Sequence, residues 1–331
     1  MTVRSSNPKT KENGSIDFQR EKVLKDLHHA CLSRELSLLL RKEVLTGKAK
    51  FGTGNAGKEL PFIAAAHTFQ KGDFWAGYYR DQTISFIKGV ASARDFFTTL
   101  YGDAANDPHA GGRQMSNSYV TPLVDENGEW RNLQDQYNVI SCMSPVAGNF
   151  THAIGLALAS KAYRENESLK PMKQFSSDGN EVCFCTIGDA ATSEGVFFET
   201  VNAAGVMQVP IAFIVLDDGY GISVPTKYQT TKGSISALLE GFYSENNGEG
   251  LDIYAVKAWD YEDLCRTFEK GIAKMRRTHK PAVFHMQECT QPQGHSTSGS
   301  HERYKSPERL KWEEEADCIG RFKESSPESI K

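Results

Sequence analysis

The fold of this chain is decided by residues 182–225, which read VCFCTIGDAATSEGVFFETVNAAGVMQVPIAFIVLDDGYGISVP. An apolar run over residues 182–187 is followed by helical spacing over residues 193–206 and by a second apolar run over residues 211–216. Both apolar runs have the length of strands rather than of helices. Strand, helix and strand in this order predict a β-α-β unit with parallel strands and a right-handed crossover.

The same alternation continues towards the C-terminus. Apolar runs of strand length recur at residues 253–256 and 282–286, and helical patterns lie over residues 234–242 and 261–278. The predicted fold class is therefore α/β, a parallel sheet flanked by helices. Apolar residues at helical spacing predict further helices over residues 17–48 (one long or two short), 60–69, 84–100 and 147–163. A charged helix is expected near residues 307–323.

Composition divides the chain into three segments. Residues 1–16 are polar and rich in Ser, Lys and Asn, which predicts a mobile N-terminal arm. Residues 17–304 are expected to form the α/β domain, with a helical N-terminal portion. Residues 305–331 are expected to form a charged C-terminal helix and tail.

Charge and hydropathy exclude several classes of protein. The 331 residues carry 38 Lys and Arg against 42 Asp and Glu, so no global positive field exists to hold a nucleic acid or an anionic membrane. No run approaches the ~18 apolar residues of a membrane span, and no signal peptide is visible. The seven cysteines lack metal-binding spacing and fit reduced thiols, with Cys183 and Cys185 on one buried strand face. A soluble, cytoplasmic protein is expected.

Each strand of the quoted stretch ends in an aspartate. Asp189 follows the first strand and Asp218 follows the second, 29 residues later. Because the carboxyl ends of parallel strands meet at one edge of a sheet, the two carboxylates should lie close together, near a helix N-terminus that can bind an anion. Two hard oxygen ligands beside a phosphate suit Mg²⁺. Alternatively, Asp189 or Ser193 only caps the following helix.

This arrangement resembles the thiamine-diphosphate motif, Gly-Asp-Gly followed by Asn-Asn, in the alpha subunit of the decarboxylating component of 2-oxo acid dehydrogenase complexes. The resemblance runs from about residue 27 to residue 304. Gly112-Arg113-Gln114-Met115 and Ser144-Pro145-Val146-Ala147 look most like the branched-chain (2-oxoisovalerate) members. The resemblance implies a thiamine-diphosphate-binding fold, in an alpha subunit or the alpha half of an alpha-beta fusion.

The resemblance also implies roles for individual residues. Mg²⁺ would be held by Asp189, Asp218 and the Tyr220 carbonyl. Tyr79, Arg80 and His295 would contact the diphosphate side, and His295, in the loop that resembles the mobile cofactor loop, would also serve catalysis near the reacting carbonyl. The remaining expected cofactor contacts come from two short segments and are Ser144, Val146, Gly188, Ala190 and Ala191.

The implied activity is the oxidative decarboxylation of a 2-oxo acid, with branched-chain acids favoured over pyruvate, and transfer of the acyl group to lipoamide. A beta subunit, or a C-terminal beta domain, would contribute the activating glutamate, so the chain alone should be inactive. The family implies an α₂β₂ heterotetramer, or a dimer of fused chains, together with a lipoyl acyltransferase. Neither a nucleic acid nor a membrane is an expected partner.

The chain departs from the family pattern at five places. Ala190 replaces a glycine of the motif, and Asp217-Asp218 replaces Asn-Asn. Leu216 and the run Thr290-Gln291-Pro292-Gln293 lie where the branched-chain members carry arginines, so two cationic phosphate contacts are missing. Gly148-Asn149 replaces a Thr-Gln pair that helps to bind potassium, which leaves a potassium ion uncertain.

Two other hypotheses remain open. The departures would suit a degenerate, non-catalytic assembly or regulatory subunit of the same fold. A Mg²⁺-dependent phosphohydrolase would instead need an aspartate nucleophile beside a second acid and a lysine, and it leaves the Tyr79-Arg80 and Gly294-His295 blocks unexplained. Ser296 matches a position that is phosphorylated in mammalian members, but the match does not show that a kinase acts here.

Overall fold

The structure is a computed structural model that describes residues 20–113, 118–244 and 248–325. The arm predicted for residues 1–16 lies outside the described residues, as do Gln114 and Met115. The helices, in chain order, are α1 Arg20–Leu45, α2 Glu59–Thr68, α3 Gln82–Ile87, α4 Ala93–Tyr101, α5 Asn149–Glu165, α6 Gly195–Met207, α7 Ile235–Leu238, α8 Tyr261–Thr278, α9 Pro307–Glu315 and α10 Cys318–Ser325.

Six parallel strands form one sheet, which confirms the predicted fold class. The strands are β1 Phe74–Ala76, β2 Asn138–Val139, β3 Cys183–Gly188, β4 Ile211–Leu216, β7 Asp252–Lys257 and β8 Ala282–Gln287, while β5 Tyr220–Gly221 and β6 Val224–Pro225 form a separate hairpin. The order across the sheet is β2-β1-β3-β4-β8-β7. Gly188 pairs with Leu216, so β3 and β4 end side by side.

Helices cover both faces of the sheet. On one face α5 and α6 pack through Phe150 and Phe197 against Phe213, in a cluster that also holds Cys183 and Cys185. The other face packs against α2, α8 and α10. The two cysteines therefore share one buried face, as predicted from the period-two geometry of a strand. All seven cysteines are free.

Several element boundaries differ from the prediction. The helix predicted over residues 84–100 is two helices, because Ser92 begins α4 with a capping box on Asp95. The helical pattern over residues 234–242 yields only the four-residue α7 and a 3₁₀ turn. The C-terminal helix is broken between α9 and α10. Strands β1 and β2 were not predicted, because runs of three and two residues are too short to show a periodic pattern.

The last two helices fold back onto the domain. Arg34 of α1 donates to both carboxylate oxygens of Glu59 in α2, at 2.7 and 3.0 Å, and to Asp317 between α9 and α10, at 2.8 Å. Phe322 of α10 is buried against Tyr261 of α8. Helix α10 is thus part of the packed core. None of the described helices is both long and apolar enough to cross a membrane.

Candidate functional site

A cavity of about 450 Å³ opens where β3 and β4 end. Every residue that the sequence assigned to a cofactor or a metal lines it: Tyr79, Arg80, Ser144, Val146, Gly188, Asp189, Ala190, Ala191, Asp218, Tyr220 and His295. These residues come from widely separated parts of the chain, and the sheet topology is what brings them together. Their individual roles remain predictions.

The two aspartates of the motif lie at adjacent strand ends, as predicted. Asp189 follows β3 and donates its backbone N–H to the Leu216 carbonyl at 3.2 Å. Asp218 follows β4, and both carboxylates are buried. Asp217 is not among the residues that line the cavity, because its carboxylate lies 2.8 Å from Nε2 of the buried His285. Only one of the two consecutive aspartates therefore faces the site.

The two cavity carboxylates differ in their ease of protonation. Burial, together with the nearby charges of Asp218 and Asp217, raises the pKa of Asp189 well above its ordinary value. Burial also acts to raise the pKa of Asp218, but the charge and hydrogen bond of Lys58 outweigh it and leave that pKa lowered. Asp218 is accordingly the carboxylate that holds its negative charge.

Lys58 is a site residue that the sequence analysis missed. It directly precedes α2, is only 1% exposed and lines the cavity. Its ammonium lies 2.8 Å from Oδ2 of Asp218 and donates to Oε1 of Gln291 at 2.7 Å. Nothing in the sequence distinguishes this lysine from a solvated one, because its burial depends on contacts with residues more than 150 positions away.

Arg80 is buried between two loops. Its guanidinium donates to the carbonyl of Gly54 at 2.5 Å and to the carbonyl of His295 at 2.7 Å, and it lies 4.9 Å from the centroid of the Tyr79 ring. These bonds join the loop before α2 to the loop after β8. Thr297 adds two more links, because its N–H donates to the Gly52 carbonyl and its hydroxyl accepts from the Gly52 N–H. The loop that contains His295 is therefore held to the loop before α2 by hydrogen bonds.

The imidazole of His295 is neutral at neutral pH. Burial, followed by the positive charge of Arg80, lowers the pKa of His295 to about 4. Nδ1 lies 3.2 Å from Nη2 of Arg80. Since a guanidinium can only donate, Nδ1 accepts and the ring proton resides on Nε2. His295 thus has a neutral N–H donor to offer a ligand.

The segment before α5 forms another wall of the cavity. Ser144 and Val146 are exposed, Val146 by 59%. Ala147 is buried with φ of 60°, a left-handed conformation that costs a non-glycine residue about 1 kcal/mol or more. Asn149 holds the segment to the sheet, since its amide donates to the carbonyls of Ala76 and Thr186 at 2.9 and 3.0 Å.

Ala190, which departs from the motif glycine, begins a 3₁₀ turn that packs on the β5–β6 hairpin. Its carbonyl accepts from Nε2 of Gln229 at 2.6 Å. A Cβ at Gly221 would lie 2.9 Å from the Ala190 Cβ, so the absence of a side chain at position 221 makes room for the Ala190 methyl group. The extra carbon at position 190 is therefore accommodated by the hairpin.

Comparison with known proteins follows the same residues. The family model of the dehydrogenase E1 component matches residues 30–326, which is most of the chain. The chain belongs to the dehydrogenase E1 component family. This membership confirms the resemblance that the motif around Asp189 and Asp218 indicated.

Several curated proteins are similar to this member of the family. It is 28% identical over 218 residues to the 2-oxoisovalerate dehydrogenase subunit alpha of Bacillus subtilis, an alignment that covers 64% of this chain and 57% of that protein. It is 26% identical over 313 residues to the mitochondrial alpha subunit of Mus musculus, covering 92% and 61%. For the Homo sapiens counterpart the identity is 25% over 312 residues, covering 92% and 60%. The chain therefore matches about three fifths of the length of these relatives.

Proposed function

We propose that this chain binds thiamine diphosphate in the β3–β4 cavity and acts as the alpha part of a 2-oxo acid dehydrogenase. The observation that carries the proposal is the composition of one cavity. Two buried cations, Lys58 and Arg80, lie near its Asp218 side, while Val146 and Ile222 contribute apolar wall. A diphosphate joined to two heteroaromatic rings needs both kinds of surface.

Mg²⁺ fits the same end of the cavity. Asp189 and Asp218 supply carboxylate oxygens, and the Tyr220 carbonyl is the third predicted ligand, a donor set of the hard oxygens that Mg²⁺ prefers. Asp218 remains able to bind a metal while it accepts from Lys58, since a carboxylate has about four lone-pair sites. Potassium stays uncertain, because Asn149 at the expected position donates its amide to protein carbonyls.

When bound, thiamine diphosphate supplies the electron sink that a 2-oxo acid needs in order to lose CO₂. The protein would bind and orient this cofactor and shield it from water. Arg80 holds His295 with its neutral Nε2–H available, so this residue can donate to a diphosphate or carbonyl oxygen without adding a charge. Val146 presents an apolar surface to the ring end, and the buried backbone of Ala147 fixes its position.

A partner is expected at the mouth of the cavity. Four apolar side chains line the cavity and are 44–74% exposed: Val146, Ile222, Val224 and Tyr228. We propose that a beta subunit or a fused beta domain covers this rim and contributes the activating glutamate, and that a lipoyl acyltransferase takes the acyl group. Branched-chain 2-oxo acids are the favoured substrates, because the relatives are named 2-oxoisovalerate dehydrogenases. The cytoplasm is the proposed location.

One observation fits the phosphohydrolase hypothesis, since Asp189 does have a second acid, Asp218, and a lysine, Lys58, in the same cavity. Family membership over residues 30–326 argues against it. Loss of a phosphatase activity in Asp189→Asn would favour it again.

Calorimetric titration of thiamine diphosphate into the complete alpha-beta assembly, with and without Mg²⁺, tests the proposal. We expect binding that strengthens with Mg²⁺ and falls at least tenfold in Asp189→Ala, since a metal ligand is lost. Lys274→Met, which removes a lysine 2.7 Å from Asp252 outside the cavity, is the control and should bind normally. An assembly that folds but binds no cofactor would support the degenerate, non-catalytic subunit instead.

A further inference from the structure

Lys58 carries an inference that rests on the proposed cofactor. Its ammonium has three donors, and all three have partners: Asp218 at 2.8 Å, Oε1 of Gln291 at 2.7 Å and the carbonyl of Thr290 at 3.3 Å. An ammonium that is removed from water is retained only where anionic and polar groups compensate for its lost hydration. Lys58 is thus a fixed positive charge inside the cavity wall.

This charge lies in the region where the sequence lacks an arginine. Gln291 belongs to the run over residues 290–293 that replaces an arginine-bearing segment of the family, and its side chain accepts a hydrogen bond from Lys58. The other replaced arginine position, Leu216, is the last residue of β4 and is fully buried in the core. The segment after β8 has no arginine in this run, and Lys58, just before α2, places a positive charge beside it instead.

The backbone before α2 is shaped for this placement. Gly57 has φ of 90°, and a Cβ at this position would overlap the Thr290 carbonyl. The two segments can approach this closely only because residue 57 has no side chain. Lys58 N–H in turn donates to the Asn55 carbonyl at 3.0 Å. The turn holds Lys58 beside Gln291 instead of letting it extend into solvent.

The charges around the cavity give this lysine a function. Asp189 and Asp218 together could contribute two negative charges at the place where a diphosphate would add more, and a divalent ion would have to neutralise all of them. Lys58 offsets the charge of Asp218 before any ligand arrives.

We infer that Lys58 shares with Mg²⁺ the neutralisation of the diphosphate end, so that this chain binds thiamine diphosphate with a shallow dependence on Mg²⁺. Removing the lysine should then make binding depend steeply on the metal. Lys58 is a positioning and charge-compensating residue in this scheme, which needs no direct bond between its ammonium and the cofactor.

The test is calorimetric titration of thiamine diphosphate into the complete alpha-beta assembly, once with Mg²⁺ and once with EDTA. For the wild type we expect the affinity to fall about tenfold in EDTA. For Lys58→Met we expect a fall of about a hundredfold or more, because the buried charge of Asp218 is then uncompensated and repels the diphosphate. Lys58→Arg, which keeps the charge, should keep the wild-type ratio of the affinities with Mg²⁺ and with EDTA. Lys274→Met is the matched control.

Because Lys58→Met leaves Asp218 buried without its partner, it can lose stability by itself. Thermal unfolding without ligand identifies such a loss, and the double variant Lys58→Met/Asp218→Asn removes both charges. Because the double variant leaves the net charge of the site unchanged, it should fold and bind thiamine diphosphate in EDTA about as well as the wild type. Thiamine, which lacks the diphosphate, should bind every variant equally.

The two proposals fail in different ways. An equal ratio of the affinities with Mg²⁺ and with EDTA in the wild type and in folded Lys58→Met would overturn the role of Lys58 and leave the cofactor assignment intact. If Lys58→Met does not fold, a double variant that binds thiamine diphosphate much more weakly than the wild type in EDTA would overturn it instead. A wild-type assembly that does not bind thiamine diphosphate under either condition would overturn the proposed function, and the inference with it.

Discussion

The imidazole of His295 illustrates how one contact sets both a charge and a tautomer. Arg80 donates to its ring and to its backbone carbonyl, which fixes the loop and disfavours a second positive charge. A residue in this state is a hydrogen-bond donor over the whole physiological range. The neighbouring cations that repel a proton from His295 are the same ones that would attract an anionic ligand.

We predict that His295 stays neutral down to about pH 4. Its folded-state pKa is lowered to about 4 from an ordinary value of 6.5, so between these limits the unfolded chain takes up a proton that the folded chain does not. Acidification over this window therefore removes stability, and none of this loss occurs above pH 6.5.

Nuclear magnetic resonance of histidine-labelled protein checks this prediction. The ring signal that disappears in His295→Gln should titrate near pH 4, and this variant should lose less stability than the wild type between pH 6.5 and 4. A ring signal that titrates near 6.5 would contradict the prediction.

Single positions of the site were predictable where a motif carries them. Asp189 and Asp218 follow strands that were predicted from apolar runs of strand length, and both aspartates line the cavity. The orientation of Asp217 and the burial of Lys58 could not be predicted from the sequence. Whether an aspartate turns to His285 or to the cavity, and whether a lysine is buried, depends on tertiary neighbours that no local pattern encodes.

The loop before α2 is the element on which the site's charge depends most. Gly57 allows this loop to approach the Thr290 carbonyl, and its N–H donates to Oε2 of the buried Glu59 at 2.9 Å. A side chain there meets two obstacles, the positive φ of the backbone and the backbone of a second loop.

We predict that Gly57→Ala destabilises the folded chain by about 2 kcal/mol or more, because a left-handed alanine and a backbone overlap add together. It should also weaken binding of thiamine diphosphate, since Lys58 is displaced from Asp218. Urea unfolding and calorimetry measure the two effects. Gly89→Ala is the control, because it has a similar positive φ of 68° but nothing within 4 Å of an added Cβ.

Gly89→Ala should therefore show only the backbone cost of about 1 kcal/mol and normal cofactor binding. Equal stability losses in the two variants would mean that the approach of Gly57 to Thr290 does not matter.

Long elements with strong periodicity were predicted well, and short ones were not. The bounds of α8, 261–278, agree with the apolar spacing, and the Asp260 side chain caps its start by accepting from the Asp263 N–H. The helix expected over residues 234–242 was wrong in length, because α7 ends at Leu238 and a 3₁₀ turn over Glu240–Phe242 follows it. Short strands such as β1 are specified by their neighbours in the sheet.

At the scale of the whole molecule, Arg34 connects the two ends of the described chain. It forms a bidentate pair with the fully buried Glu59 and a further bond with Asp317, so one side chain holds α1, α2 and the α9–α10 junction together. Two of these bonds join α1 to α2, and the bond to Asp317 ties the C-terminal helices to them.

We predict that Arg34→Met lowers the free energy of unfolding by about 3 to 5 kcal/mol, because it leaves the Glu59 carboxylate buried and without its charge partner. Urea unfolding followed by circular dichroism measures the change. Lys311→Met removes an exposed lysine 3.6 Å from Glu315 and should cost no more than about 0.5 kcal/mol. A similar small loss in Arg34→Met would show that the pair contributes little.

The α/β class, the parallel sheet and the family could all be inferred from the sequence, since they follow from strand-helix alternation and from one motif. The packing of α10 onto α1 and α2 and the bond between Arg34 and Asp317 could not be inferred, because these two residues are 283 positions apart and no periodicity relates them. Family membership then extended the predicted resemblance beyond residue 304 to residue 326.

The return of α9 to the site also sets an order of events during synthesis. Nη2 of Arg309 donates to the Asp218 carbonyl at 2.6 Å, so a residue near the end of the described chain completes the surroundings of one made 91 positions earlier. Chains leave the ribosome from the N-terminus, and domains fold as units once their segments have emerged. Until α9 has cleared the exit tunnel, a growing polypeptide therefore lacks one of the contacts that hold Asp218 in place. We expect the proposed coenzyme to bind to the released or further-extended chain.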